Sequence, residues 1–227
     1  MLLREKIYQD LKNDILSGVL PTGETLLVDR LAEKYQTSKM PVREALRLLQ
    51  HELLVEIVPR IGCYVSHLSL QDVGALFEFR LVVESAAARL AAQRITEEEL
   101  AHLEHMNSTY RPGDTDSYWE YLRSNREFHY RVALATGNRW LARSVGSLLD
   151  QMQRLFFLRL DVRDAAEEMV AEHRRLVAAL RARDSALAEK AMVEAIENAR
   201  QAVIGAIMGG ARLPAVPRRD AKDHRSP

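Results

Sequence analysis

The sequence has a single cysteine, Cys63, which excludes an intramolecular disulfide framework and any zinc module built from several cysteines. No apolar run approaches the roughly 20 residues that a membrane-spanning helix needs. The amino terminus, MLLREKIYQDLK, is charged almost from its first residues and lacks the apolar core of a signal peptide. Charge of one sign is not in excess either, because 32 basic residues balance 32 acidic ones. These absences predict a soluble cytoplasmic protein with no membrane partner.

The amino-acid composition of the sequence changes near Ser66–Ser69. Glycine and proline interrupt the part before it, whereas the part from Leu70 to about Met208 is rich in Ala, Leu, Arg and Glu at helical spacing. We therefore expect one domain at residues 1–67 and an all-helical domain at 68–208. The tail at 209–227 has five basic and two acidic residues and almost no large apolar side chain, so we expect it to be disordered.

Three helices are predicted in the first 52 residues. The first carries an apolar stripe that stops at Gly18, a common helix-ending residue, and consists of Leu3, Ile7, Leu11 and Ile15. A second, short helix is predicted from Leu27 to about Tyr35. Thr37 or Ser38 can cap a third helix that reaches Glu52 and has Pro41 in its first turn, where a missing N–H costs little.

A hairpin follows, because the β-prone segments Leu54–Val58 and Gly62–Val65 flank the turn Pro59–Gly62. Three helices and a two-stranded wing describe a winged helix-turn-helix, whose third helix suits the major groove of DNA. The fold class expected is thus mainly α: an N-terminal winged helix-turn-helix with a small β-hairpin wing, followed by a C-terminal antiparallel helix bundle.

Cations recur every fourth residue along one face of the third helix, at Lys39, Arg43 and Arg47. At that spacing they project together into a groove, where arginine can bond guanine or phosphate. Spaced cations also describe a plain solvated face, and residues 1–67 have nine basic and nine acidic groups, which weakens the case for a polyanionic partner. On these three residues alone, both interpretations stay open.

Capping signals divide the second part into six helices. Ser69 with Asp72 and Thr96 with Glu99 are capping boxes. The segment Arg111–Asp114 is a break, and Thr136–Asn138 ends the third helix of this part. The remaining two starts are assigned to Asp164 with Glu167 and to Asp184. Six helices in about 140 residues predict a bundle with its own core.

Particular sequence motifs add to this pattern. The stretch LLVDRLAEKYQTSKMPVREALRLLQHELLVEIVPRIGCYVS, preceded by ILSGVLPTGETL, resembles the amino-terminal domain of GntR-family bacterial transcription regulators over roughly residues 4–67. The resemblance implies a homodimer that binds double-stranded operator DNA with the start of the third helix and the wing tip. The DNA-binding residues expected here are Ser38, Lys39, Met40, Arg43, Arg47, Arg60 and Gly62.

Several positions depart from that family's pattern. Lys39 and Met40 stand where arginine and threonine are usual, and Asp29 stands where many members have arginine. Ile61 precedes the wing glycine where arginine is usual, and Arg60 is displaced by one place. Lysine lacks arginine's planar fork and methionine makes only apolar contacts, so we expect a base preference different from the family's common operator.

The helical part resembles the FadR subgroup of the same family, with its FCD-type ligand-sensing domain. The motifs are FEFRLVVESAAARLAA, SNREFHYRVALATGNRWL and EEMVAEHRRLVAALRARDSALAEKAMVEAIENA. The subgroup implies a small carboxylate effector inside the bundle, and in many members a divalent metal held by one Asp or Asn and three histidines.

Asn125, His129 and His173 match three of the metal positions, but the fourth is Ala195, and Asn198 is a weak substitute. Zinc or nickel could still bind with waters completing the shell. Alternatively, His129 and His173 are buried, hydrogen-bonded histidines that line a metal-free pocket. Both interpretations are kept.

Arg80 matches the arginine that meets the effector's carboxylate in this subgroup, where paired charge-assisted hydrogen bonds suit it. An internal salt bridge to Glu84, at i+4 on the same helix, is the alternative, and the two are compatible. Asn125, His129 and His173 complete the expected effector-binding set.

The leading prediction is a ligand-responsive transcription regulator, a repressor, whose operator binding changes when a small organic acid enters the helical domain. The rivals are a metal-dependent hydrolase or isomerase that uses Asn125, His129 and His173, and a dimerisation module that binds no nucleic acid. The sequence contains no general acid and base at motif spacing, which disfavours the enzyme.

Overall fold

The computed structural model describes residues 2–106, 115–157 and 166–208. Within these ranges the chain forms nine helices and one two-stranded antiparallel sheet, which confirms the mainly α class with a hairpin wing. The elements are α1 (Leu3–Leu16), α2 (Val28–Lys34), α3 (Lys39–His51), β1 (Val55–Val58), β2 (Gly62–Val65), α4 (Leu70–Ala91), α5 (Glu97–Met106), α6 (Thr115–Leu134), α7 (Arg139–Phe157), α8 (Ala166–Arg181) and α9 (Ser185–Met208).

One hydrophobic core joins α1, α2, α3 and the wing. Ile7, Leu11 and Ile15 lie in it, as the stripe predicts. Leu3 does not, since its side chain at the first turn of α1 is 43% exposed. The buried face of α3, with Leu46 and Leu49 among its members, turns the opposite face of that helix to the surface.

Ser38 occupies the N-cap position of α3, but its side chain makes no capping hydrogen bond. The predicted position is therefore right, and the predicted hydrogen bond is wrong. Its hydroxyl lies on the exposed surface at the start of α3.

The wing pairs Val58 with Gly62 and Val55 with Val65 in antiparallel register. Ile61 N–H donates to Val58 O at 3.1 Å, and Pro59 and Arg60 lie between them. Arg60 has φ of 65°, so the turn places proline second and a left-handed residue third, as a type II turn does. That third place ordinarily favours glycine, and an arginine there is strained.

The second core fills the bundle of α4 to α9 around the fully buried rings of Phe77 and Phe128. α4 and α9 run antiparallel, because Gln93 just after α4 donates to Ser185 at the start of α9. The two capping boxes form: Ser69 Oγ accepts from Asp72 N–H at 3.1 Å, and Thr96 Oγ1 accepts from Glu99 N–H at 3.2 Å.

Two other predicted helix boundaries can be compared with the structure. Asp184 caps α9 by accepting from Leu187 N–H at 2.9 Å. Asn138 also caps a helix rather than only ending one, since its Oδ1 accepts from the N–H groups of Trp140 and Leu141 at the start of α7. The break at Arg111–Asp114, the cap at Asp164 and the tail at 209–227 lie outside the described residues.

The domain boundaries at residues 67 and 208 stay predictions. Among the described helices, none is long and apolar enough to cross a membrane.

Candidate functional site

The outer face of α3 carries the residues that the sequence assigns to DNA. Lys39, Met40, Arg43 and Arg47 are all exposed, while Val42, Ala45, Leu46 and Leu49 are buried beneath them. Met40 is 65% exposed, which is unusual for a large apolar side chain at the start of a helix. An apolar group presented here can contact a thymine methyl in the major groove.

A groove of about 520 Å³ lies between α3 and the wing. Arg43 and Arg47 line its helix side and Arg60 lines its wing side. No carboxylate is among the described residues that line it. Three guanidinium groups around an open groove form a local positive surface that the neutral charge of residues 1–67 conceals, and such a surface attracts phosphate.

The wing tip presents Arg60, Ile61 and Gly62 in succession. Ile61 is 72% exposed, so an apolar side chain stands at the tip where the family has arginine. A Cβ added at Gly62 would lie 2.8 Å from the hydroxyl of Tyr64, so a larger residue there would push that ring aside. Gly62 therefore leaves room for the Tyr64 ring beside the wing tip.

Lys39 differs from the other two cations of α3. Its Nζ lies 2.7 Å from Oδ1 of Asp29, in the first turn of α2. Arg43 and Arg47 form no ion pair within the described residues. Asp29 is thus a departure from the family's pattern that contacts a predicted DNA-binding residue.

The second candidate site lies inside the bundle. Arg80 on α4 donates from Nε to Glu84 Oε1 at 2.6 Å, as the i+4 spacing predicts. The other oxygen of Glu84 lies 2.7 Å from His129 Nδ1, and His129 Nε2 lies 3.4 Å from Nε2 of His173. Phe128 stacks on His173 with ring centroids 3.8 Å apart. The structure therefore brings together Arg80, His129 and His173.

These groups line a small cavity of about 10 Å³, which is room for about one water molecule or one ion. Asn125 also lines it, and its buried Oδ1 has no hydrogen-bond partner among the described residues. Arg80 Nη1 is likewise buried and unpartnered there. The unpartnered oxygen of Asn125 could bind a cation, and the unpartnered N–H of Arg80 could bind an anion.

The environment fixes the charge state of two of these groups. Burial would raise the pKa of Glu84, but Arg80 and His129 outweigh it and lower that pKa to about 2. Burial, aided by His129 and Arg80, holds the pKa of His173 well below its usual range. Glu84 is therefore a carboxylate and His173 a neutral imidazole at neutral pH.

Three donors suit a metal ion. Two imidazole nitrogens bound to one tetrahedral zinc lie about 3.3–3.4 Å apart, and the two Nε2 atoms show this separation. Glu84 Oε2 lies beside His129 Nδ1, where a carboxylate can orient a metal-bound histidine, but the two atoms lack hydrogen-bond geometry. Within the described chain, however, no group of three or more His, Cys, Asp or Glu side chains has metal-binding geometry. The fit rests on Asn125 as the third ligand.

The fourth position is open. Ala195 lines the cavity at the place of the missing histidine and supplies only a methyl group. Asn198 does not replace it, because it is not on the cavity wall and its Nδ2 donates to Glu172 Oε1 at 2.6 Å. Glu172 and Met169 also line the cavity, and sequence reasoning missed both. The position of Glu172 directly before His173 was the available signal.

A chain of ion pairs runs from α6, at the residue after Asn125, to α1 and the end of α3. Arg126, the neighbour of Asn125 on α6, contacts Asp150 on α7 at 2.5 Å. Asp150 Oδ2 lies 2.7 Å from Lys12 Nζ on α1, which is also 2.7 Å from Glu52 Oε2 at the end of α3. Burial alone would lower the pKa of Lys12, but these two carboxylates outweigh it and raise that pKa.

The same stretch of α7 forms hydrogen bonds with the backbone that follows α3. Gln151 Nε2 donates to Glu52 O at 2.7 Å. Arg154, which is buried, donates to the carbonyls of Leu53 and Ser66, and burial lowers its pKa to about 10. The backbone that follows α3 and the backbone that follows β2 are thus both held by one turn of α7.

Comparison with known proteins now decides between the rival functions. The model of the FCD domain matches residues 75–198, and the model of bacterial regulatory proteins of the gntR family matches residues 3–65. The chain belongs to the GntR family. The FCD domain places it with the FadR-type members of that family.

Its relatives include two proteins of Escherichia coli strain K12. The HTH-type transcriptional repressor GlaR is 30% identical over 194 residues, 82% of this chain and 88% of that protein. The HTH-type transcriptional repressor RspR is 25% identical over 202 residues, 88% of this chain and 89% of its own length. The solved structure of E. coli McbR/YncC shares the fold, with a TM-score of 0.78 at 22% identity, covering 90% of this chain and 98% of that one.

The family and these relatives are transcriptional regulators and not enzymes, so this GntR regulator is not an enzyme that uses Asn125, His129 and His173. A dimerisation module without nucleic-acid binding is set aside on the same grounds.

Proposed function

We propose that this GntR regulator is a repressor that binds operator DNA with the outer face of α3 and the wing tip. The observation that carries the proposal is the groove between them, which is lined by Arg43, Arg47 and Arg60. In this arrangement the arginines supply base and phosphate contacts, Met40 supplies an apolar contact, and the exposed Ser38 hydroxyl and the Gly62 backbone supply further polar contacts. Binding takes place in the cytoplasm, where the operator is.

A homodimer would give the two-fold symmetry that a pair of half-sites requires. Two recognition helices must lie about 34–36 Å apart to reach successive major grooves. Phe79 and Val82, which are 45% and 68% exposed on α4, support a pairing through the bundle.

The effector is a small organic acid whose carboxylate binds Arg80 in the cavity. Arg80 Nη1 supports this, since a buried guanidinium N–H without a partner is matched to an anion. Ordinary ligand pockets have about 300–1,000 Å³, so a cavity of about 10 Å³ cannot take a metabolite as it stands. Binding therefore requires α6 or α8 to move away from the other helices that line the cavity.

That movement gives a physical reason for regulation. A displaced α6 carries Arg126 with it, and the ion pairs through Asp150 to Lys12 and Glu52 transmit the change to α1 and α3. An effector that prefers the opened bundle shifts the population of dimers toward the geometry that this bundle favours.

A zinc or nickel ion is the second expected occupant. Asn125, His129 and His173 would hold it, and it would supply positive charge and open coordination positions for a carboxylate or water. The matching separation of the two Nε2 atoms supports this, and the alanine at 195 limits the affinity.

The test is selection of bound fragments from the source genome by the purified protein, followed by titration of the recovered duplex at several salt concentrations. Operator binding predicts a linear fall of log affinity with log salt, with a slope set by the number of neutralised phosphates. Small carboxylic acids, chosen from the reactions that the products of neighbouring genes catalyse, are then added to the complex. Recovery of no fragment above background, or binding that ignores salt, would contradict the proposal.

A further inference from the structure

The pair between Asp29 and Lys39 lies on the surface that we assign to DNA. Lys39 is the first residue of α3, next to Ser38 and Met40, and Asp29 is in the first turn of α2. Their charged atoms are 2.7 Å apart, yet the side chain of Lys39 is 55% exposed and that of Asp29 is 74% exposed. Exposed pairs of this kind add little to folding stability. Stability is therefore a weak reason for this carboxylate to be there.

The pair changes what α3 offers to a phosphate backbone. Of the three cations on its outer face, Arg43 and Arg47 have no carboxylate partner among the described residues, and Lys39 has one. A paired lysine must give up its partner before it can neutralise a phosphate. Asp29 itself is exposed beside the same surface and repels phosphate as a like charge.

We propose that Asp29 is a specificity-determining residue, which holds Lys39 away from DNA phosphates. It thereby weakens the binding of the protein to DNA of arbitrary sequence. Sequence-independent affinity comes almost wholly from cations that neutralise phosphates. Withholding one of three such cations on α3 reduces that affinity directly. The inference rests on the proposed function, because it presupposes that this face of α3 meets DNA.

The experiment compares the full-length protein with Asp29→Asn on a duplex of random sequence. The substitution keeps the shape of the side chain and removes its charge, which frees Lys39. We expect the affinity to rise about three- to tenfold at low salt, and the log–log salt slope to steepen by about one phosphate, roughly 0.9. Glu98→Gln is the matched control, because Glu98 is an exposed carboxylate on α5, away from α3, and its loss changes net charge by the same amount.

A second pair of variants separates the role of Lys39 from simple repulsion. In a Lys39→Met background, Asp29→Asn is expected to leave the salt slope unchanged, because no cation remains to be released. If Asp29→Asn behaves like Glu98→Gln, or if it steepens the slope equally in the Lys39→Met background, the inference is wrong. Failure of the wild-type protein to bind any duplex would instead overturn the proposed function, so the two failures are distinguishable. Helical circular dichroism of each variant verifies that the fold is retained.

Discussion

Lys12 Nζ lies 2.7 Å from Asp150 Oδ2, and this contact ties α1 of the DNA-binding unit to α7 of the bundle. The lysine side chain is only 15% exposed and the aspartate only 7%. Glu52 meets the same nitrogen from the end of α3. One largely buried cation therefore bridges α1 and α3 to the helical bundle.

Replacing that cation should weaken the junction. Lys12→Met keeps the length of the side chain but leaves Asp150 and Glu52 without it, so we expect the free energy of unfolding to fall by about 1–3 kcal/mol. Urea unfolding measures the change. Lys6→Met, an exposed lysine on the same helix, is the control. Equal unfolding of the two variants would show that the bridge contributes nothing to stability.

The strained turn of the wing separates stability from DNA binding. Arg60 has φ of 65° where glycine is favoured, so Arg60→Gly should raise the free energy of unfolding by about 1 kcal/mol while it weakens binding to duplex DNA. Arg60→Ala loses the same charge but keeps the strained backbone, and it should weaken binding without the gain in stability. Thermal unfolding and a DNA titration measure both quantities. A destabilised Arg60→Gly protein, or one with full affinity, would contradict this account of the wing.

The buried thiol of the wing gives a pH-dependent prediction. Burial raises the pKa of Cys63 to about 11, against about 8.5 in an unfolded chain. Because the folded value is the higher one, the thiol's contribution to stability is complete below about pH 8.5 and is lost as the pH rises toward 11. At pH 8 a thiolate-specific reagent should modify Cys63 in the folded protein at least about tenfold more slowly than in urea. Equal rates would show that Cys63 is accessible and ionised in the fold.

The missing metal ligand can be restored. Ala195→His places an imidazole on the cavity that Asn125, His129 and His173 already line, so we expect zinc affinity to rise by at least about tenfold. Competition with a chromophoric chelator, on protein purified without an affinity tag, measures the affinity. Lys190→His adds an imidazole to the exposed side of the same helix and serves as the control. Equal zinc affinity in the two variants would show that the cavity is not a metal site.

What the sequence could predict was local. The hairpin, the capping boxes and the buried face of α3 depend on residues within a few positions of one another, and the structure contains them. The Arg80–Glu84 pair at i+4 was foreseeable for the same reason. Even so, a local rule did not predict the hydrogen bonding of Ser38. This residue occupies the N-cap position, but its hydroxyl makes no capping hydrogen bond.

What the sequence could not predict were pairs that only the packing of helices creates. Arg126 showed no distinct signal, because its partner Asp150 is on the next helix and Lys12 is more than 100 residues away. Asp29 was recognised as a departure from the family, but its contact with Lys39 depends on the angle between α2 and α3. The small volume of the cavity likewise follows from packing density and not from any motif.

The most direct test of the central claim is DNA binding by Arg43→Ala. Arg43 is exposed on α3 and lines the groove next to the wing, and alanine suits a helix, so the fold should not change. We expect retardation of the selected operator to be abolished, with the dimer and the helical circular dichroism intact. Arg143→Ala, an exposed arginine on α7, should bind the operator as the wild type does. Unchanged retardation by Arg43→Ala would contradict the assignment of α3 to the major groove.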